Sequence, residues 1–300
     1  MTNGNPEAEL SPISPIDGLS LIIPAYNEEG GIESVLDDAK AVLREIGIPH
    51  EIIVVDDSSR DATGRVAEAS GVRVLRNIQN GGYGYSLMRG VTAAKYATVA
   101  IIDADGSYPV EEFTRLFDEY RRGFAMVVGN REGAQYDGTT QMKILRWAFR
   151  SLTQFIVGRS VPDVNSGMRI FDRAIVMPLF PHMSYGFSFT TSITLLFMMR
   201  ALPVSYVPVA YRKRHGESKV RYFRDSLRAL QILTSITARL NPIKLFLLAA
   251  GINAVVMLPL VLLLSLWGGG RLMLVLVLET SAILVALGFV VEALVEKRPR

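Results

Sequence analysis

Three short segments carry most of the side chains able to do chemistry. Pro24-Ala25-Tyr26-Asn27-Glu28-Glu29, Asp56-Asp57-Ser58-Ser59 and Asp103-Ala104-Asp105-Gly106-Ser107 each follow an apolar run, and each holds carboxylates. A lone Asp after a strand can simply cap the next helix. Three such clusters facing one crevice would repel one another unless a cation or a hydroxyl-rich ligand were present. A divalent metal with a sugar nucleotide supplies both. Carboxylates suit hard cations, and Mg²⁺ takes one or two of them plus phosphate oxygens.

Competing chemistries find little support. The chain has no cysteine, which excludes a disulfide framework, a thiolate metal site and a thiol nucleophile. There is no GxxxxGK[ST] and no HExxH. Asn80-Gly81-Gly82-Tyr83-Gly84 is glycine-rich but does not complete GxGxxG, and reads as a turn before a helix. His50, His182 and His215 are widely separated and point to no shared metal site.

The elements that must position the carboxylates alternate regularly. Strand patterns cover 19–24, 51–55, 72–75, 98–103 and 125–129, and helix patterns cover 31–46, 61–69, 85–94 and 109–121. In the first helix Ile32, Val35, Leu36, Val42, Leu43 and Ile46 fit a 3.6-residue period. Such alternation predicts an α/β domain whose mainly parallel sheet is covered on both faces. Ligands of open α/β sheets sit beyond the carboxyl ends of the strands, where these clusters lie.

Mean hydropathy of +0.26 is high for a soluble enzyme, and the excess is concentrated. Residues 245–267 carry no charge, and 272–291 carry only Glu279. Each run is long enough to cross a hydrocarbon core of about 30 Å at about 1.5 Å per residue. Gly268-Gly269-Gly270-Arg271 between them reads as a tight turn. Seven Lys/Arg precede the first run within 211–228, and Lys297, Arg298 and Arg300 follow the second. The excess of basic residues at both ends predicts a multi-pass inner-membrane protein with its catalytic domain and both termini cytoplasmic. Residues 141–157 and 221–240 are basic amphipathic stretches that suit a headgroup layer or a packed surface helix. The first 18 residues lack the features of a signal peptide and read as a disordered lead-in. With 32 basic against 29 acidic residues, charge does not suggest a nucleic-acid binder. Glu279 reads as a neutral acid, an oligomer contact or a residue near a membrane mouth.

In order and spacing, LSLIIPAYNEE, EIIVVDDSSRDATG and IIDADGSYP resemble the signature segments of family 2 inverting glycosyltransferases with the GT-A fold. More narrowly they resemble polyprenyl-phosphate glycosyltransferases of the dolichyl-phosphate mannose synthase type. Gly129-Asn130-Arg131, Asp163-Val164-Asn165-Ser166-Gly167-Met168-Arg169 and Arg214-His215-Gly216-Glu217-Ser218-Lys219 agree. The resemblance covers about residues 19 to 220. It implies a GT-A catalytic domain over 19–220, a juxtamembrane amphipathic helix over 221–242, a transmembrane hairpin over 243–295 and a basic tail over 296–300.

The resemblance also implies roles. Pro24, Tyr26 and Glu28 would hold the base and ribose, and Asp57, with or without Asp56, would contact the nucleoside. Asp103 and Asp105 match the DxD motif, and would bind Mg²⁺ or Mn²⁺ on the donor diphosphate and the nearby sugar or ribose. Arg131, Ser166, Arg212, Arg214 and Lys219 would meet the acceptor phosphate and close over the donor. Ser107 stands where many relatives have a metal-binding Gln, and Gly186 to Thr191 offers no catalytic acid.

The expected reaction moves a sugar from a UDP- or GDP-sugar to an undecaprenyl or dolichyl phosphate. A protein, polysaccharide or lipid-glycan acceptor is the alternative. A tethered nucleotide-sugar binder without catalysis is a third reading, and the partners implied are donor, lipid acceptor, membrane and a possible second copy of the chain.

Overall fold

The computed structural model describes residues 14–133, 139–212, 222–266 and 270–296. The chain divides into two compact units at Ile232–Leu233. Arg214, Lys219, most of the expected lead-in, half of the glycine turn and most of the basic tail lie outside the described residues.

The first unit holds a seven-stranded sheet. Its strands are β1 (Leu19–Ala25), β2 (His50–Asp56), β3 (Arg73–Arg76), β4 (Thr98–Ile101), β5 (Met126–Glu132), β6 (Arg169–Asp172) and β7 (Val204–Ala210). Their spatial order is β3-β2-β1-β4-β6-β5-β7. Pairing is parallel across β3, β2, β1 and β4 and between β5 and β7. Only β6 runs antiparallel to both neighbours. The sheet is mostly parallel, as the alternation predicts, but two strands extend it beyond the expected five.

The helices are α1 (Ile32–Ile46), α2 (Thr63–Ala69), α3 (Tyr83–Ala93), α4 (Phe113–Tyr120), α5 (Thr140–Val157), α6 (Arg173–Val176) and α7 (Phe189–Met199). A 3₁₀ turn, Val110–Glu112, leads into α4, so the helix expected from 109 begins later. In α1 the buried residues are Ile32, Val35, Leu36, Ala39, Val42 and Leu43. That stripe packs with Leu21 and Ile23 of β1, Val54 of β2 and Leu116 of α4 in one core. The helix ends at Gly47, whose φ of 74° needs a residue without a Cβ.

Sheet direction decides where the chemistry falls. The carboxyl ends of β1, β2, β4, β5 and β7 share one edge. Because β6 is reversed, its amino end, and the loop from Asp163 to Met168 before it, reach that same edge. The order reverses beside β1, the place where open sheets bind ligands. There β1 pairs with β2 as far as Ala25↔Asp56 but with β4 only to Ile22↔Ile101. Pro24 has the parity of Ile22, whose carbonyl accepts Ile102 N–H at 3.2 Å. Its ring nitrogen therefore faces the side where pairing has stopped, which lets a proline occupy an inner strand.

Helix α8 (Tyr222–Leu240) leads toward α9 (Pro242–Ser265) and α10 (Gly270–Glu296). Both α9 and α10 are long and apolar enough to cross a membrane, each with mean hydropathy 2.5 over its most apolar stretch. They form an antiparallel pair. Glu292 Oε2 accepts Ile243 N–H at 3.1 Å, and Asn253 Nδ2 donates to Thr280 Oγ1 at 2.9 Å and Ser281 Oγ at 3.1 Å. Glu279 is exposed on the surface of the pair.

Candidate functional site

The loops at the ends of β1 and β2 are laced together. Asn27, at φ 51°, accepts Arg60 N–H at 2.8 Å through Oδ1 and donates its own N–H to Ser59 Oγ at 3.0 Å. Glu28 N–H donates to Thr63 Oγ1 at 2.8 Å, and Glu29 Oε2 accepts Ala62 N–H at 2.8 Å. Asparagine tolerates the left-handed region because its short side chain bonds locally. This lacing fixes the backbone around Tyr26 and Glu28, both half-buried, just beyond the carboxyl end of β1. Asn27, Ser59 and Thr63 tie the two loops together without carrying a charge.

Asp56 and Asp57 are buried. Asp56 Oδ1 accepts Ser59 N–H at 2.9 Å. The Asp57 carboxylate accepts Asn77 Nδ2 at 2.6 Å, Gly81 N–H at 2.8 Å and Gly82 N–H at 2.8 Å. Asp57 thus anchors the glycine-rich segment that leads into α3. That segment delivers Tyr83, whose hydroxyl donates to Asp103 Oδ1 at 2.8 Å. Burial, then the Asp103 carboxylate, pushes the Tyr83 phenol well above its ordinary pKa, so the group is a donor.

Asp103 and Asp105 follow β4 and are both half-buried. Ser107 donates to Asp105 Oδ1 through N–H at 3.0 Å and through Oγ at 2.5 Å. Ser107 therefore supports Asp105. Two hard carboxylates on one segment match the donor set that Mg²⁺ or Mn²⁺ uses alongside diphosphate oxygens, so these residues fit a divalent metal. Gly167 lies against Asp103: a Cβ there would stand 2.5 Å from Asp103 Oδ2.

The other half of the edge is basic. Arg131, at the end of β5, makes a two-pronged pair with Asp163, Nε–Oδ2 at 2.7 Å and Nη2–Oδ1 at 2.9 Å. Burial alone would raise the Asp163 pKa, but the Arg131 guanidinium and its hydrogen bonds outweigh that and hold it below the ordinary value. The Arg131 guanidinium also lies over the Tyr211 ring, 5.5 Å from its centroid. Ser166 is fully buried and donates toward Tyr108 Oη at 3.4 Å, and the same oxygen accepts Gly167 N–H at 2.7 Å. Arg212 pairs with Glu111 on the 3₁₀ turn, and its N–H donates to Ser107 O at 2.8 Å.

Beneath this loop Arg169 is wholly buried. Its guanidinium donates to Ser166 O at 2.8 Å, Val164 O at 2.8 Å and Thr194 Oγ1 at 2.7 Å. Burial pulls its pKa below the usual arginine value. The three bonds tie an irregular loop to α7. Asp163, Gly167 and Arg169 lie inside a quoted motif, so they were visible as letters. Their partners were not.

A groove of about 430 Å³ opens in front of Arg131 and Asp163. Helix α5 lines it with Lys143, Arg146 and Arg150 beside Trp147 and Phe149. Ile144, Leu145, Trp147 and Phe155 of α5 are exposed.

The fold is shared with solved structures. The superposition on glucosyl-3-phosphoglycerate synthase from Mycobacterium tuberculosis, in complex with Mn²⁺, UDP-glucose and phosphoglyceric acid, gives a TM-score of 0.61 at 23% identity. It covers 73% of this chain and 79% of that one. The domain is a GT-A-like α/β fold. Residues 20–180 match Glycosyl transferase family 2, and the chain belongs to that family.

Three curated relatives narrow the neighbourhood. The low-salt glycan biosynthesis hexosyltransferase Agl6 of Haloferax volcanii is 31% identical over 220 residues, 72% of this chain and 52% of the relative. The chain thus spans about half the length of that relative. The dolichyl-phosphate hexose transferase of the same organism is 31% identical over 69% of this chain and 88% of its own length. The undecaprenyl-phosphate 4-deoxy-4-formamido-L-arabinose transferase of Pseudomonas paraeruginosa is 30% identical, covering 79% and 70%.

Proposed function

We propose that this chain transfers a sugar, with inversion, from a nucleotide diphosphate to a polyprenyl phosphate at a membrane surface. The observation that carries the reading is the groove at Arg131. It combines three cationic side chains with exposed aromatic and aliphatic ones on a single helix. A phosphate with a long apolar tail needs both. The relatives named for dolichyl-phosphate and undecaprenyl-phosphate transfer support the same acceptor class.

In this reading Pro24, Tyr26, Glu28 and the Asp56–Asp57 pair bound the nucleoside end of the crevice. Asp103 and Asp105 would hold Mg²⁺ or Mn²⁺ beside the donor diphosphate. When bound, the metal supplies Lewis-acid stabilisation of the departing diphosphate. Arg131, with Ser166, Arg212, Arg214 and Lys219, orients the acceptor phosphate. A phosphate monoester has a second pKa of about 6 and is mostly a dianion at neutral pH. Its oxygen attacks the anomeric carbon without a strong general base, which suits a sequence whose three histidines are widely separated.

The helices fit a membrane-bound enzyme. The catalytic domain occupies 19–220, the juxtamembrane helix 221–242, the hairpin 243–295 and the basic tail 296–300, with domain and termini cytoplasmic. Anchoring confines the search for a lipid acceptor to the membrane surface, and α5 adds a basic, apolar docking face.

The test incubates the purified chain with labelled UDP- and GDP-sugars, undecaprenyl phosphate and Mg²⁺ or Mn²⁺. Label should pass into the chloroform phase, and Asp105→Ala should abolish the transfer. Transfer to a protein or glycan without dependence on polyprenyl phosphate would sink the acceptor assignment.

A further inference from the structure

The glycine-rich segment 80–84 has no task in the transfer as described, yet the fold invests heavily in its position. Asp57 takes both Gly81 and Gly82 N–H groups at 2.8 Å. Gly82 sits at φ 94°, where a side chain is strained. Tyr85 N–H donates to Tyr185 O at 2.9 Å, docking the start of α3 on the segment before α7. The Tyr83 ring stacks on Phe187, with centroids 5.7 Å apart and planes at 22°.

All of these contacts converge on one hydrogen bond. Tyr83 Oη donates to Asp103 Oδ1 at 2.8 Å. On the other side, the space a Cβ of Gly167 would take lies 2.5 Å from Asp103 Oδ2. The Asp103 carboxylate is therefore held between a phenol and a glycine backbone. An aspartate at the end of a strand otherwise samples several rotamers, and a charge-assisted hydrogen bond selects among them.

We infer that Tyr83 is a positioning residue for Asp103, and that Asp57, by anchoring Gly81 and Gly82, sets the rotamer with which Asp103 meets the metal–diphosphate end of the donor. This rests on the proposed role of Asp103 and Asp105. It links the nucleoside end of the crevice to the metal end through Asp57, Gly81, Gly82, Tyr83 and Asp103, five residues from three segments. Outer-shell partners of metal ligands typically account for about 10- to 100-fold in affinity.

The experiment follows Mn²⁺ binding to the full-length, detergent-solubilised chain by electron paramagnetic resonance, with inorganic pyrophosphate as the diphosphate probe. Tyr83→Phe removes the hydroxyl and keeps the ring on Phe187. It should weaken Mn²⁺ binding about tenfold and raise KM for the active nucleotide sugar. KM for the polyprenyl phosphate and Tm should hold. Phe187→Leu, which frees the ring, should move Mn²⁺ affinity the same way by less. Unchanged Mn²⁺ affinity in Tyr83→Phe, or a loss that only tracks a fall in Tm, overturns the inference. Asp105→Ala separates the two readings. If it loses Mn²⁺ while Tyr83→Phe does not, only this inference falls. If the unsubstituted chain binds Mn²⁺ no better than Asp105→Ala, the metal assignment falls and takes this inference with it.

Discussion

Arg131 is clamped on Asp163 by two hydrogen bonds, at 2.7 and 2.9 Å, although the residues are 32 apart in sequence. Both side chains are largely shielded, at 15% and 2% exposure. The pair fixes the guanidinium beside the groove that α5 lines. Removing one partner of such a pair leaves an uncompensated charge, at a cost of about 3 kcal/mol. Asp163→Asn should lower Tm and raise KM for the polyprenyl phosphate, with KM for the nucleotide sugar little changed.

The same pair predicts a pH dependence. The Asp163 pKa is depressed below the ordinary 3.8, because Arg131 outweighs the effect of burial. Its contribution is fully present above the unfolded value and is lost as pH falls through the lower folded value. The Tm gap between the unsubstituted chain and Asp163→Asn should therefore be constant above about pH 5 and narrow below 3.8. Thermal melts across that range check it. A gap that closes between pH 6 and 8 would contradict the assignment.

Gly167→Ala should be severe for a chain change of one methyl group. The new Cβ would stand 2.5 Å from Asp103 Oδ2, so either the carboxylate or the loop must move. Misplacement of about 1 Å at a reacting centre costs about 100-fold. A kcat/KM within twofold of the unsubstituted value would show that the loop gives way freely.

Arg146→Ala and Arg150→Ala test the groove. Each removes a cation from its lining. A charge-assisted hydrogen bond lost from a phosphate is worth about 1.5–3 kcal/mol, so KM for the lipid acceptor should rise about tenfold or more. Donor KM should not follow. Acceptor kinetics in detergent micelles at fixed lipid fraction read this directly.

Within the hairpin, Asn253 donates to Thr280 Oγ1 and Ser281 Oγ. Such bonds between membrane helices average about 0.6 kcal/mol each. Asn253→Leu should therefore loosen the α9–α10 pair modestly, and cross-linking between cysteines placed at 250 and 281 should slow. The contact of Ser281 Oγ with Ala250 O at 3.5 Å places those positions side by side.

Much of the domain was legible because its signals are local. Apolar runs end in Asp56, Asp57, Asp103 and Asp105, and a 3.6-residue period marks α1, so β1 to β5 and the carboxylates at their ends followed from short windows, whereas β7 did not. Strand β6 was not legible. Arg169-Ile170-Phe171-Asp172 is only four residues long, and nothing in it announces that it runs against β4 and β5. Tyr83 was passed over because its glycine-rich neighbours read as a turn, and a turn says nothing of what its next side chain will touch.

The amino-acid sequence alone determined the paired carboxylates and the two apolar C-terminal runs, since spacing and hydropathy are properties of the chain itself, and its motifs carried the resemblance to the family. Tertiary structure decided which groups meet. The reversal of β6 brings the loop 163–168 to the edge where β1, β2 and β4 end, pairs Asp163 with Arg131 and sets Gly167 against Asp103. Those contacts join residues 32 to 64 apart, and their energy depends on distance and burial, which no window of sequence contains.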